Sequence, residues 1–433
     1  MGNIVAIVGR PNVGKSTLFN RLIGERSAIV DDISGVTRDR NYGMCTWNGK
    51  PFTVIDTGGF VHGSDDVFEA AIRSQVNVAI EEASAIIFMT DTSTGITDLD
   101  EEVAKMLRKT EKPVFLAVNK VDNYNRQLAA NEFWSLGFEQ TFFLSSMTGS
   151  GTGELLDAVT EMLSEEPEEL PDIPKMAILG QPNVGKSSLI NTLLGEERNI
   201  VTDVAGTTRD TVHSRFTKFG MDMLLIDTAG LRKKAKVHEE LEFYSVMRAI
   251  KALDECDICI LMVNADDGLE SQDLSILNLA LKRNKGIVMA VNKWDLIEKE
   301  TNTARDFEQA IRKRTAPFSD YPIVFTSVLE KQRVLQVLEK AMLVYNNRSK
   351  RVKTHELNDY MMEIIDRTPP PSHKGKYVKI KYITQLPTAS PAFAFFCNHP
   401  KYIKDSYRQF LENKIRERWD FSGVPVRVFF RQK

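Results

Sequence analysis

Two stretches of this chain carry residue types suited to holding a phosphate. GRPNVGKS, Gly9 to Ser16, and GQPNVGKS, Gly180 to Ser187, each follow an apolar run and open a helix-length segment. Gly9, Gly14, Gly180 and Gly185 let backbone N–H groups wrap phosphate oxygens, and the N-terminus of the following helix adds positive potential. Lys15 and Lys186 can reach the β and γ phosphates of a nucleotide, and Ser16 and Ser187 offer a hydroxyl to Mg2+. Arg10, Pro11, Asn12 and Val13 complete the first loop with Thr17 behind it; Gln181, Pro182, Asn183 and Val184 complete the second, with Ser188 behind.

A phosphate loop does not choose the base, because ATPases and kinases also use one. NKVD (Asn119, Lys120, Val121, Asp122) and NKWD (Asn292, Lys293, Trp294, Asp295) do, each following an apolar run. A carboxylate against the base edge accepts from both N1–H and the 2-amino group of guanine, whereas adenine would leave it buried and unpaired. The pattern therefore selects GTP and GDP. DTGG (Asp56, Thr57, Gly58, Gly59) and DTAG (Asp227, Thr228, Ala229, Gly230) supply an Asp that holds Mg2+ through water and a Gly N–H that senses the γ phosphate.

The spacing of these motifs implies a duplicated domain. Gly9 maps onto Gly180, Thr37 onto Thr208 and Asp56 onto Asp227 with one offset, 171; from Asn119 to Asn292 it becomes 173. Convergence on a short motif would not preserve the distances between motifs. The acidic, proline-interrupted SEEPEELPDIP (Ser164 to Pro174) reads as a linker. The expected domains are 1–163, 175–345 and 350–433.

In the first copy, IVAIV from Ile4, FTVI from Phe52, AIIFM from Ala85, VFLAV from Val114 and TFFL from Thr141 are continuous apolar runs alternating with helix-length segments. They predict a mostly parallel sheet buried on both faces, with ligands at the carboxyl ends of its strands. The fold class is α/β: two P-loop GTPase (G) domains in tandem, followed by a smaller α+β domain.

Composition excludes other classes. Hydrophobic residues make up 42% and charged residues 27%, and no apolar run approaches the roughly 20 residues that span a bilayer. A cytoplasmic location, no membrane partner and a monomer are expected. Four cysteines are too few for a disulfide scaffold. Cys256 and Cys259 form a CxxC inside an apolar run, which reads as a core strand. From Tyr345 onward, 18 Lys and Arg face 8 Asp and Glu, a net +10; the whole chain is −3, so the rest is −13.

With these residues the chain resembles the EngA (Der) family of bacterial GTPases, which carry two G domains and a C-terminal KH-like domain. The likeness covers nearly the whole length. It rests on the paired PNVGKS loops, GVTRD (Gly35 to Asp39) and GTTRD (Gly206 to Asp210), the DxxG and NKxD motifs, and a final segment with KIKYITQ, FCNHP and GVPVRVFFR. The resemblance implies GTP hydrolysis, Thr37 and Thr208 as switch residues and Mg2+ ligands, and a role in maturing the large ribosomal subunit, with rRNA as partner. It also implies that Ser145 and Ser146, and Ser327 and Val328, occupy the place of the usual Ser-Ala pair that contacts the guanine oxygen through a backbone N–H.

Two departures stand out. After the first pair, the first copy continues MTGSGTG; after the second pair, the second copy continues LEKQRV. Ras-like GTPases place a water-orienting Gln directly after DxxG, where this chain has Phe60 and Leu231. The resemblance points instead to relatives that use K+ near the phosphates, which would engage Asn12 and Asn183; alternatively these Asn only stabilise the loop turn. Intrinsic hydrolysis is expected to be slow.

The last domain is predicted as α-β-β-α-β. In YVKIKYI, alternation sends Val378, Ile380 and Tyr382 to one face and Lys379 and Lys381 to the other. With Lys374, Lys376, Arg408, Lys414, Arg416 and Arg418 they form a basic face that fits RNA, or one that docks on the acidic G domains. A GxxG clamp for single strands is missing. Two functions stay open: a GTPase switch acting on rRNA, and a nucleotide-gated interaction module. A tRNA-modification GTPase is disfavoured, since the sequence shows neither a folate-type domain nor a C-terminal catalytic Cys.

Overall fold

The computed structural model describes residues 3–24, 42–60, 65–163, 172–195, 203–205, 212–226, 242–372 and 377–432. Thr37, Thr208, Asp227, Thr228, Ala229, Gly230, Leu231, Lys374, Lys376 and most of the linker lie outside them.

The chain divides into two compact units, Met1–Leu170 with Ala235–Asp254, and Pro171–Lys234 with Glu255–Lys433. The first unit holds a six-stranded sheet of order β2-β3-β1-β4-β5-β6, built from Ile4–Val8 (β1), Tyr42–Trp47 (β2), Lys50–Asp56 (β3), Ala85–Asp91 (β4), Val114–Asn119 (β5) and Thr141–Phe143 (β6). Every predicted run forms a strand. β1 and β4 are buried at every residue, as strands covered on both faces must be. Only β2 runs antiparallel, joined to β3 by a tight hairpin. Asn48 and Gly49 at its tip both have positive φ, 48° and 80°, as a type I′ turn requires.

β2 (YGMCTW) has no continuous apolar run, and in it only Tyr42 and Cys45 are buried; a search for unbroken runs misses it.

The second unit repeats the plan in seven strands of order β13-β12-β11-β7-β10-β9-β8. They are Lys175–Gly180 (β7), Asp203–Ala205 (β8), Val212–Lys218 (β9), Met221–Ile226 (β10), Ile258–Asn264 (β11), Gly286–Asn292 (β12) and Ile323–Phe325 (β13). Phe219 and Gly220, 171 residues after Asn48 and Gly49, repeat the left-handed hairpin with φ of 55° and 72°. Cys259 lies in the buried strand β11, where burial pushes its thiol well above the ordinary value.

The same unit contains a three-stranded sheet, Ile380–Gln385 (β14), Ala392–Cys397 (β15) and Arg427–Gln432 (β16), with helices Thr354–Arg367 and Asp405–Arg418. The order α-β-β-α-β is as predicted. Its core gathers Leu357, Met361, Ile380, Phe393, Phe395, Leu411 and Ile415. One detail differs from the alternation read in the sequence. A bulge between Ile380 and Tyr382 shifts the register, so Ile383 enters the core beside Val378 and Ile380, and Tyr382 stacks on Phe396 with centroids 4.4 Å apart. The extra residue flips every later side chain to the other face.

This small domain is sewn to the second sheet by its own backbone. Ile287 N–H donates to the Gly423 carbonyl at 2.7 Å, Gly423 N–H donates to the Asp320 carbonyl at 2.8 Å, and Val424 is buried in the core of the second sheet. Among the described residues, no helix is long and apolar enough to cross a membrane.

Candidate functional site

Both phosphate loops join a parallel strand to a helix, β1 to α1 (Lys15–Gly24) and β7 to α2 (Lys186–Gly195). Gly9 and Gly180 have φ of 148° and 147°, and Gly14 and Gly185 share 104°. The equality of the two loops extends to Asn12 and Asn183, left-handed at 65° and 62°, a conformation Asn tolerates better than most residues.

Lys15 folds back over its own loop, donating to the Gly9 carbonyl at 2.7 Å and the Arg10 carbonyl at 2.8 Å. Lys186 does the same towards Gly180 at 3.0 Å and Gln181 at 2.5 Å. Burial is the main force that lowers the Lys15 pKa to about 8; Asp56 opposes it and Arg10 adds to it. An ammonium that burial makes costly to charge is well placed to be stabilised by phosphate.

Ser16 donates to Asp56 Oδ2 at 2.5 Å, and the other Asp56 oxygen accepts from Gly58 N–H at 2.9 Å. Asp56 is 1% exposed. A hydroxyl and a carboxylate converging on one point beside the phosphate loop are the hard oxygen donors Mg2+ takes. Thr57 anchors the turn by donating to the Ile7 carbonyl at 2.9 Å. Gly59 and Phe60 follow in a short 3-10 turn, Thr57–Phe60. In the second copy Ser187 sits at the matching place on α2.

The guanine motifs lie at the carboxyl ends of β5 and β12. Asn119 Nδ2 donates to the Val13 carbonyl at 2.7 Å, and its Oδ1 accepts from Ser146 N–H at 2.8 Å. Asn292 repeats both bonds, to the Val184 carbonyl at 2.8 Å and from Val328 N–H at 3.0 Å. Each Asn is thus a staple between phosphate loop and base loop. The Ser146 and Val328 N–H groups, expected at the guanine oxygen, are engaged by these staples. Ser145 and Ser327 are buried beside them. Lys120 and Lys293 are left-handed, at 64° and 63°.

A model described as "50S ribosome-binding GTPase" matches residues 4–120 and 175–293, and one described as "KH-domain-like of EngA bacterial GTPase enzymes, C-terminal" matches 351–431. "GTPase Der" of Christiangramia forsetii is 58% identical over 434 residues, covering 100% of both chains; that of Bacteroides fragilis is 54% identical over 437, again 100% of both. The chain belongs to the Der GTPase family. Among solved structures, the G domain of the Thermotoga maritima FeoB iron transporter is 27% identical, covering 37% of this chain and 99% of that one, with a TM-score of 0.28. As a member of the Der family the chain is a GTPase that binds guanine nucleotide.

Within this Der-family frame the two copies are not equivalent, and sequence reading missed the partners that distinguish them, Asp100, Asp91 and Arg126 in the first copy. Arg10 pairs with Asp100 at 3.2 Å, where the second copy has Gln181 donating to Asp273 at 3.0 Å. Lys120 pairs with Asp91 at 2.6 Å; burial would raise that carboxyl, but bonds from Lys120 and Ser93 hold it below its ordinary value. The matching residue of the second copy is Asn264. Arg126 Nη1 bridges both oxygens of Asp122, at 2.8 and 2.9 Å, where the second copy has Lys299 four residues after Asp295. The signal that could have found them is the repeat itself: wherever the copies align, charged positions that differ deserve inspection.

Proposed function

We propose that the chain is a GTP-controlled switch acting in assembly of the large ribosomal subunit, with two working nucleotide sites and a basic C-terminal surface that meets rRNA. The observation that carries this is the repetition of one loop and staple geometry at Gly9 to Ser16 with Asn119 and at Gly180 to Ser187 with Asn292. Two sites kept in register to this degree imply that both bind nucleotide. The ribosomal direction comes from the description of the matching family model.

In this reading Lys15 and Lys186 bind the β and γ phosphates, and Ser16, Asp56, Ser187 and Asp227 hold Mg2+, with Thr37 and Thr208 added when GTP is bound. Mg2+ supplies charge neutralisation at the bridging oxygens. Gly59 and Gly230 report the γ phosphate, while Asp122 and Asp295 read guanine. Phe60 and Leu231 cannot orient water, so charge stabilisation falls to a further cation. Asn12 and Asn183, exposed beside the loop, are the K+ candidates. Hydrolysis is then faster in potassium than in sodium at equal ionic strength. Equal rates in the two salts, or a preference that survives Asn12→Ala with Asn183→Ala, would remove K+ from the mechanism.

The basic face is narrower than its composition suggests. Arg416 pairs with Glu412 and Asp320 and donates to the carbonyls of Phe421 and Val424, so it fastens the domain. Lys414 pairs with Glu417, and Arg408 with Asp405. Lys379 and Lys381 are exposed at the edge of the sheet. Sedimentation with ribosomal subunits under GDP, GTP and a non-hydrolysable analogue tests the proposal. Lys379→Ala with Lys381→Ala should weaken attachment and flatten its salt dependence by about 0.7 to 0.9 for each phosphate left without its cation, with GTP affinity unchanged. Attachment equal to the parent at every salt concentration would favour the interaction-module reading.

A further inference from the structure

In the first copy, the hydrogen bonds that run from the phosphate loop through Asn119 to Ser146 continue into a third element. Arg21, on the solvent side of α1, donates through Nε to the Ser146 carbonyl at 2.7 Å and through Nη2 to the Met147 carbonyl. Together with the Asn119 bonds to Val13 and Ser146, this closes a ring. It passes from the phosphate loop to Asn119, to the base loop, to Arg21, and back along α1 to Lys15. Both ends of a bound nucleotide would then rest on one closed frame.

The second copy is made differently, and its differences are correlated. The position of Arg21, shifted by 171, is Thr192, whose side chain is too short to reach across to a base loop. Gly149 in the first base loop has φ of 89°, and a Cβ there would lie 2.7 Å from Arg21 Nη1. Guanidinium and side chain exclude one another at this turn. In the second copy the guanidinium is gone, and the matching left-handed residue, at φ 56°, is Lys331. Both base loops close on themselves through the backbone. In the first, Gly149 N–H donates to the Ser145 carbonyl at 2.8 Å and Ser145 N–H to the Ser150 carbonyl at 2.9 Å; the second adds a side-chain bond. Gln332 N–H donates to the Ser327 carbonyl at 2.8 Å, and the Thr326 hydroxyl donates to the Gln332 carbonyl at 2.7 Å, where the first copy has Leu144.

We infer that Arg21 is a positioning residue of the first guanine pocket, fastening its base loop to the phosphate-loop helix, and that the second pocket, with Thr192 at that position, works without this fastening. The inference rests on the reading of Asp122 and Ser146 as the first guanine pocket. Its physical basis is that a cation donating to two carbonyls of one loop makes charge-assisted bonds, roughly twice as strong as neutral ones. Those bonds restrict the loop that must stay closed over the base while nucleotide is bound. The first site therefore depends on the Arg21 contact in addition to its Asn staple, and the second, with Thr192, does not use that contact.

The experiment follows release of a fluorescent GDP from the full chain, which resolves into one phase per site. Asp122→Asn identifies the first site's phase by abolishing it; if it abolishes neither phase, the pocket reading fails, independently of Arg21. Arg21→Ala should speed the identified phase about tenfold and leave the other unchanged, and Arg21→Lys should recover part of the loss, since an ammonium can still serve one carbonyl. Thr192→Ala should alter neither phase. Gly149→Ala, which pushes the guanidinium aside, should speed the same phase, and the double variant with Arg21→Ala should fall short of the product of the two effects. That shortfall separates positioning from general loosening of the fold. An unchanged first phase in Arg21→Ala, equal acceleration of both phases, or full multiplicativity in the double variant would each overturn the inference.

Discussion

Asp122→Asn should move the first copy from guanosine to xanthosine nucleotides, and Asp295→Asn the second. The carboxylate accepts from N1–H and the 2-amino group of guanine, and an amide cannot accept both. The amide can instead donate to the 2-oxo group of xanthine, which a carboxylate repels. A site built on such bonds rejects the wrong partner by thousands-fold or more, about 4 kcal/mol and upward. The bridge from Arg126 to Asp122 does not change this outcome. It is an exposed pair with side chains 39% and 43% accessible, worth about 0 to 1 kcal/mol, so its removal is small beside the change in base recognition. Both copies should therefore switch to similar extents. Titrating each variant with fluorescent GDP and XDP reads the result directly, and a variant that loses GDP without gaining XDP would show that the base sits elsewhere.

The sequence announced the parts of this molecule where one residue type answers one chemical need. Phosphate loops, NKxD ends and buried parallel strands are of that kind, because only Gly, Lys, Asn or an unbroken apolar run can fill them. Features that depend on where a chain bends were harder to read. β2 buries only Tyr42 and Cys45 and so hides from a search for apolar runs. The bulge after Ile380 exchanges Tyr382 for Ile383 in the core, and no alternation pattern can signal an extra residue. The basic face was overcounted because charge in a sequence carries no partners: Arg416 is +1 in composition, yet it is 13% exposed and spends its charge on Glu412 and Asp320. Asn119 and Asn292 are read from the sequence as base-binding residues, but their hold on the phosphate loop appears only once β5 and β12 lie next to Val13 and Val184.

That hold makes Gly14 and Gly185 sensitive positions of the two sites. A Cβ on Gly14 would lie 2.2 Å from Asn119 Nδ2, and one on Gly185 would lie 2.3 Å from Asn292 Nδ2. A clash with a side-chain end is often relieved by a small rotation, but these side chains are tied at both ends and only 3% exposed. Moving either one breaks its bond to the phosphate-loop carbonyl and its bond from the base-loop N–H together. Each buried group orphaned in this way costs about 1 to 3 kcal/mol, so two of them amount to about 2 to 6 kcal/mol, roughly thirtyfold or more in affinity. Gly14→Ala should therefore empty the first copy and leave the second filled, and Gly185→Ala should do the reverse, each lowering nucleotide stoichiometry from two per chain to about one. Gly49→Ala separates clash from backbone strain: Gly49 also has positive φ, 80°, but a Cβ there meets nothing within 4 Å. It should cost about 1 kcal/mol of stability and no nucleotide. If Gly14→Ala still binds two nucleotides with parental affinity, Asn119 does not join the phosphate and base loops in the working protein.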